Sequence, residues 1–399
     1  MERRAPGGTT GQRGVGRVLS LLAVVVVLGL LLAGCGANQP YSTIDPKSDR
    51  AADIQGLYRI IFWGALIVFI GVQAAIVYVV LRFRRRNEDR PEQVHGNTRL
   101  EMAWTIIPAV ILLVIFIPTA RTIYEHAAAS DREGAFEIDV YGKQWWWEVH
   151  YPGVPANLSD PAAGPLVTAN EVRLPADTDV VFNLRSNNVI HSFWVPQLSG
   201  KTDVFPGHDN RLGFRTGEPG EFWGLCAEFC GSAHAWMRFK VQVVPQAEFD
   251  AWVDAWRTPP AFDSKPETAD VAEAPAAFGT CLACHNVNGT NARAARTGIE
   301  AQPNSLGAGP NLTLLACRDF IGAGVLENTE DGLRTWLKHT NDVKEGVYMP
   351  NYYENGTIDD AQVEELVSYL RSLQPAGGCP AEYPVGGEIS NPAMVEPTN

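Results

Sequence analysis

Two predominantly apolar stretches, residues 57–81 and 102–120, constrain the fold of this chain more than any other feature, because each has the roughly 20-residue length of a membrane-crossing helix. The loop between them carries Arg82, Arg84, Arg85, Arg86, Arg90 and Arg99. Positive charge beside spans stays in the cytoplasm, so the loop is expected inside and both ends of a hairpin over 57–124 outside. Pro108 and Pro118 would break a soluble helix but are tolerated in a membrane. The alternative is a helix pair buried in a globular core.

The N-terminus gives the same topology independently. Arg3, Arg4, Arg13 and Arg17 precede an apolar run over 19–33 that closes in Leu-Ala-Gly-Cys, which has the n-region and h-region of a secretory signal. The closing tetrapeptide resembles a bacterial lipobox, which implies a signal peptide over 1–34, lipid on Cys35 and an external segment over 35–56. An uncleaved anchor is the alternative, although the apolar core is short for a span of about 20 residues. The formal net charge of −13 repels a polyanion, and no nucleic-acid partner is expected.

From residue 135 to 256 short apolar segments alternate with proline, glycine and asparagine. Phe136, Ile138 and Val140 alternate with polar neighbours, and residues 180–184 and 239–244 are also strand-like, a pattern that predicts a β-sandwich. Residues 257–275 are rich in proline, alanine and acid, the composition of a linker. In 276–375 the periodicity turns helical. Val363, Leu366, Val367, Leu370 and Leu373 share one face, with Thr357 and the Asp359–Asp360 pair near its start as cap and dipole partners, and Leu333, Trp336 and Leu337 mark a shorter helix. The tail, 376–399, is irregular.

Chemistry concentrates at two motifs. The run CAEFCGSAHAWM, residues 226–237, holds two thiols, an imidazole and a thioether, donors that suit copper far better than calcium or magnesium. A mononuclear blue-copper site uses one thiolate, so Cys226 and Cys230 offer one too many, whereas a two-metal cluster bridged by both sulfurs uses every group. A disulfide or a tetrahedral zinc site are the plainer alternatives, and neither accounts for Met237 or for His191 in the upstream run VIHSFWVP. The second motif, CLACH at 281–285, is the attachment signature of c-type haem: Cys281 and Cys284 would bond the porphyrin and His285 the iron. A zinc or redox CxxC is the alternative. Of five methionines, Met1 is the initiator, Met102 lies in a span and Met237 in the copper motif, leaving Met349 and Met394 for the second axial position. His339 is a rival that would give a haem of lower potential. Cys317 and Cys379 remain, and either a disulfide tying the tail to a loop or two free thiols would account for them.

The spacing Cys-x3-Cys-x3-His-x2-Met with His191 upstream resembles the binuclear CuA centre of cytochrome c oxidase subunit II, of the caa-type with a fused C-terminal cytochrome c. The resemblance spans roughly residues 50–375. It implies a multidomain membrane protein with a transmembrane hairpin, a cupredoxin sandwich and an all-α class I cytochrome c domain. It implies His191, Cys226, Cys230, His234 and Met237 as CuA ligands, with the Glu228 carbonyl as a weak axial group and its carboxylate at a magnesium ion shared with subunit I. Met349, in YMPNYY, stands about where class I cytochromes carry their methionine, and Gly309-Pro310 resembles the segment whose carbonyl orients the haem histidine.

The run HGNTRLEMAWTIIPAVIL, residues 95–112, resembles the second span of that family and places Glu101 near the entrance of a proton-uptake channel; a solvated helix-end charge is the plainer reading. The run YGKQWWWEVHY, residues 141–151, resembles the family's aromatic segment, with Trp145 as the point of electron entry. Tryptophans at 145–147 should alternate across a strand, at least one facing outward. A fused haem domain docked elsewhere would make this entry point less important. The implied function is electron transfer from cytochrome c or a bc complex, through haem c and CuA, to the subunit I that reduces oxygen with proton translocation, on the outer face of a bacterial membrane. The rivals are the electron-input subunit of a CuA-type nitric oxide reductase and a freestanding electron-transfer lipoprotein.

Overall fold

The computed structural model describes residues 40–84, 95–155, 165–257, 274–287, 309–375 and 378–380, with residues 22, 25, 26 and 29 upstream. Cys35, Met394, most of the arginine-rich loop and most of the linker therefore lie outside the described residues.

Two long helices, α1 (Asp49–Arg82) and α2 (Thr98–Ala129), pack side by side. Their side chains are largely exposed apolar groups, as expected of a surface that meets lipid. Both helices run well past the predicted spans. At 1.5 Å per residue the 34 residues of α1 extend about 51 Å, some 20 Å beyond a hydrocarbon core of about 30 Å. The surplus is held by the next domain. Ser48 caps α1 by accepting from the Ala51 N–H and donates its own hydroxyl to the Leu198 carbonyl at 2.5 Å. Arg50 donates to the carbonyls of His126 and Gly213, and Arg132, just beyond α2, pairs with Asp49 at 3.1 Å and with Asp179.

The middle of the chain is a sandwich of two five-stranded sheets. One has the order β3-β2-β1-β5-β8 and comprises β1 (Phe136–Lys143), β2 (Trp146–Pro155), β3 (Pro165–Ala169), β5 (Asp179–Ser186) and β8 (Asn210–Arg215). The other has the order β4-β10-β9-β6-β7 and comprises β4 (Glu171–Pro175), β6 (His191–Trp194), β7 (Thr202–Val204), β9 (Gly220–Cys226) and β10 (Arg238–Val244). β1 runs parallel to β5 and β4 to β10; the other pairings are antiparallel. Alternate residues of both sheets meet in an aromatic core of Trp147, Phe182, Phe193, Phe214 and Phe239, all 2% exposed or less. Helix α3 (Gln246–Arg257) closes one edge by setting Phe249 and Trp252 against Tyr151.

The C-terminal domain is small and helical: α4 (Phe278–Cys281), the short ladder β11 (Phe320–Ile321) with β12 (Leu326–Glu327), α5 (Glu330–Lys338), α6 (Thr340–Val343) and α7 (Asp360–Ser372). Val363, Leu366, Val367 and Leu370 of α7 are buried against Leu333 and Leu337 of α5, the faces expected from their spacing. The α7 cap is Asp359 alone, in a reciprocal capping box with Gln362, while Thr357 bonds to Asn355 instead. The structure joins Cys317 to Cys379, so the tail returns to the domain.

Candidate redox centres

The hairpin between β9 and β10 gathers every donor of the first motif around two sulfurs. Cys226 ends β9, His191 opens the neighbouring β6, and the turn over 227–237 returns His234 and Met237 to them. Cys226 Sγ and Cys230 Sγ stand 3.8 Å apart, far beyond the 2.05 Å of a disulfide, and both thiols are free. His191 Nδ1 lies 3.9 Å from Cys226 Sγ on one side and His234 Nδ1 3.5 Å from Cys230 Sγ on the other. Met237 Sδ approaches Cys230 at 3.8 Å and the Glu228 carbonyl approaches Cys226 at 3.2 Å. One imidazole beside each thiol, with a thioether and a carbonyl at opposite ends, is a donor set for two metals sharing two sulfurs. A single tetrahedral zinc would leave two of the six groups unused.

Neighbouring groups fix this set in place. Asn188 Oδ1 meets His191 Nε2 at 3.1 Å, which leaves Nδ1 facing the sulfurs, and Gly142 beneath the ring offers no side chain to displace it. Contact with the Cys230 thiol lowers Cys226, and hydrogen bonding to Cys226, burial and the charge so formed raise Cys230. Two thiols this close therefore hold one proton between them unless a cation replaces it.

The second motif lies on α4 and the turn after it. Cys281, Cys284, His285 and Met349 line one cavity of the C-terminal domain. His285 Nδ1 donates to the Pro310 carbonyl at 2.8 Å, and burial lowers its basicity, so a neutral Nε2 remains free to bind iron. Gly309 lets the ring lie there: a β-carbon would stand 2.6 Å from its Cε1. A methionine and an oriented histidine facing one apolar cavity, beside two free thiols, fit a covalent haem. The rival axial group, His339, caps the end of α5 and lies 3.7 Å from Asp342, away from the cavity lining.

Comparison with known proteins follows the same division. Residues 136–244 match the family model described as cytochrome C oxidase subunit II, periplasmic domain; residues 42–121 match its transmembrane domain and residues 271–374 match cytochrome c. The cytochrome c oxidase subunit 2 of Alkalihalophilus pseudofirmus is 32% identical over 354 residues, which cover 87% of this chain and 95% of the relative. This chain belongs to the cytochrome c oxidase subunit II family. The subunit 2 of Bacillus sp. (strain PS3) is 34% identical over 376 residues, 89% of this chain and 97% of its own, and that of Bacillus subtilis 33% over 382 residues, 90% and 98%.

The tryptophan run of this subunit II departs from the sequence expectation. Trp145, Trp146 and Trp147 are all buried, at 5%, 7% and 0% exposure. Trp147 enters the sandwich core, but Trp145 sits in the turn between β1 and β2, and the outward Trp146 is covered by Ala323 of the cytochrome domain. The fused domain has docked on the tryptophan face itself, contrary to the expectation that it could dock elsewhere. Gln144, Trp145 and Trp146 consequently line the same cavity as the haem motif.

Several residues in this interface escaped the sequence reading. Arg318 is a buried cation lining the cavity, which suits it to the carboxylates of a haem, and its guanidinium bonds the Asn311 carbonyl. Lys344 and Tyr348 reach from the cytochrome domain to Trp145 and Gln144. Glu171, desolvated between the domains and facing Asp319, is pushed up to about 8. Glu101 lies in the first turn of α2, where its carboxylate accepts from the Asn97 N–H at 3.1 Å, the reciprocal half of a helix cap. Glu228 is exposed, as is its neighbour Phe229 at 75%.

Proposed function

We propose that this subunit II passes electrons from an outer-face donor, a cytochrome c or a bc complex, through haem c and CuA to subunit I of a haem–copper oxidase, where oxygen is reduced to water with coupled proton translocation. The observation that carries the reading is that one residue, Trp145, both lines the cavity of the haem motif and donates to the Cys230 carbonyl of the copper motif. In this reading Cys281, Cys284, His285 and Met349 hold the haem, and His191, Cys226, Cys230, His234, Met237 and the Glu228 carbonyl hold the copper pair. The two groups supply one-electron carriers whose fixed ligands limit rearrangement on reduction.

The remaining work falls to the protein's own side chains. Asn188 and the Pro310 carbonyl hold the two histidine rings in orientation. Burial of both sulfurs at 3% exposure excludes water and competing ligands. The exposed Phe229 and Glu228 beside the copper motif are the apolar and acidic groups that a partner subunit would cover, and Glu228 is the residue that would share a magnesium ion with it. The two long helices support a membrane location, with both large domains on the outer face and Cys35 as a lipid anchor there. Trp145 is the electron conductor of this arrangement, and Glu101 stands at the inner end of α2 where proton uptake would begin.

The test is purification with partners followed by spectroscopy. A complex that consumes oxygen, with a low-spin methionine-ligated haem c and a mixed-valence copper pair in its paramagnetic resonance spectrum, is expected. A complex that reduces nitric oxide but not oxygen, or a chain bearing a single type-one copper or zinc alone, would overturn the assignment.

A further inference from the structure

One loop of the cytochrome domain, residues 344–349, touches the copper motif's surroundings at Trp145, Gln144 and Ser232. It ends in Met349. The preceding Tyr348 lays its ring on that of Trp145, with centroids 5.4 Å apart and planes 13° from parallel, and its hydroxyl donates to Gln144 Oε1 at 3.0 Å. Trp145 Nε1 and Gln144 Nε2 in turn donate to a single acceptor, the Cys230 carbonyl, at 3.0 and 2.7 Å. One peptide link, one ring stack and one hydrogen bond therefore connect Met349 to Cys230. Trp146 also lines the haem cavity, but it packs on Ala169 and Ala323 and under the Lys143 ammonium, in a direction that does not reach the copper motif.

Lys344 fixes the stack. Only 2% exposed, it donates to the Trp145 carbonyl and to the Gly322 carbonyl of its own domain, each at 2.7 Å. A buried amino group is tolerated only where acceptors take its N–H groups, so this side chain holds the domains at one separation. Between Lys344 and Tyr348, Gly346 adopts φ +81° against Ser232 of the copper loop, a conformation that favours glycine and lets the loop lie flat.

We propose that Tyr348 is the residue through which an electron leaves the cytochrome domain for Trp145, and that Lys344 is the positioning residue that keeps the two rings stacked. The proposal rests on the functional reading above and names the route within it. One electron crosses; no bond forms or breaks, and the Tyr348 hydroxyl keeps its proton, hydrogen-bonded to Gln144 Oε1, throughout. Because Tyr348 is 39% exposed, replacing it leaves the domain core intact.

The experiment follows single-electron transfer from photoreduced haem c to copper in the intact oxidase, by haem and copper absorbance, in wild type, Tyr348→Leu, Tyr348→Phe and Lys344→Met. Loss of the ring should slow transfer relative to wild type, while the phenylalanine variant stays near wild type. Lys344→Met should slow transfer and also raise oxidative labelling of Trp145, read by mass spectrometry, with the methionine-ligated haem spectrum unchanged in every variant. Wild-type transfer in Tyr348→Leu, or equal slowing in Tyr348→Phe and Tyr348→Leu, overturns the route. If Tyr348→Leu disturbs the haem spectrum, Lys344→Met decides: unchanged transfer and unchanged labelling there overturn the proposal. No transfer from haem to copper in wild type would instead defeat the functional reading itself.

Discussion

Gly142 is a position where the copper motif can be perturbed without touching any of its donors. It lies on β1, paired with Trp147 and Ser186, and a methyl group there would stand 2.7 Å from Cδ2 and 3.0 Å from Cγ of His191. Carbon atoms pack at about 3.5–4.0 Å, so the imidazole would have to retreat by roughly 1 Å. The space for that is absent: His191 is 0% exposed, with the Trp147 ring 5.9 Å away and Asn188 on its Nε2. Overpacking of this kind costs about 1–3 kcal/mol, against about 0.4–1 kcal/mol recovered by restricting the unfolded chain, so Gly142→Ala should destabilise the domain by up to about 2.6 kcal/mol. The effect on metal should be larger, because the ring that moves is the one set against Cys226 while the groups around Cys230 stay in place. Copper retention against a chelator should fall by about 10–100-fold, the range seen when groups supporting a ligand are disturbed. The assay is copper content and the paramagnetic resonance spectrum of the purified oxidase, with the haem c absorbance as an internal control. Gly142→Ala that keeps wild-type copper, spectrum and chelator resistance would refute the steric argument and the placement of His191 in the centre.

Three further outcomes are expected. Burial and the facing Asp319 raise Glu171 to about 8, above its range in an undocked chain, so its contribution to docking is fully present at low pH and is lost as pH rises through about 8. Hydrogen exchange over residues 318–323 should therefore accelerate from pH 5 to 8 more in wild type than in Glu171→Gln, and equal acceleration would remove Glu171 from the linkage. Replacing Cys317 and Cys379 by serine opens a loop of 62 residues and should lower the stability of the cytochrome domain by about 4 kcal/mol on the loop-entropy estimate, measured by calorimetry; an unchanged melting temperature would contradict it. Gly309→Ala should push the His285 ring off the Pro310 carbonyl, and the haem c spectrum should lose its methionine–histidine character; a normal spectrum would show that the ring has another resting place.

The membrane hairpin was legible in the sequence because hydropathy needs no tertiary information, but the full length of α1 was not. Its outer turns are stabilised by Ser48 on Leu198 and Arg50 on Gly213, contacts made across more than 140 residues of chain that no local pattern announces. The candidate copper donors stand out in the sequence for the opposite reason: five of the six sit on one turn, and their donor types together suit a soft metal. Lys344 and Tyr348 read as ordinary polar-loop residues, since their significance comes from a surface of another domain. The tryptophan run misled in the same way. Period-two alternation correctly sends Trp147 inward and Trp146 outward, yet "outward" here means into the cytochrome domain. An aromatic residue directly before the candidate axial methionine was the one available signal.

The polar contacts between the two domains bear on register more than on strength. Lys240, with its side chain 5% exposed, reaches Asp319 at 2.6 Å and Glu221 at 3.1 Å; the Asp319 N–H donates to Glu171 at 3.0 Å, and Asn311 donates to the Val167 carbonyl at 3.0 Å. Pairs of this kind add little net stability, because desolvation offsets attraction, but leaving one partner buried alone costs about 3–5 kcal/mol. A cytochrome domain shifted by one residue along β4 and β10 would strand several such groups at once. Apolar contact alone, Trp146 on Ala323, would tolerate sliding. A ring stack such as Tyr348 on Trp145 is lost within a few ångströms of displacement, so a route through it requires an interface that penalises near misses, and directional polar pairs set around an apolar seal provide that penalty.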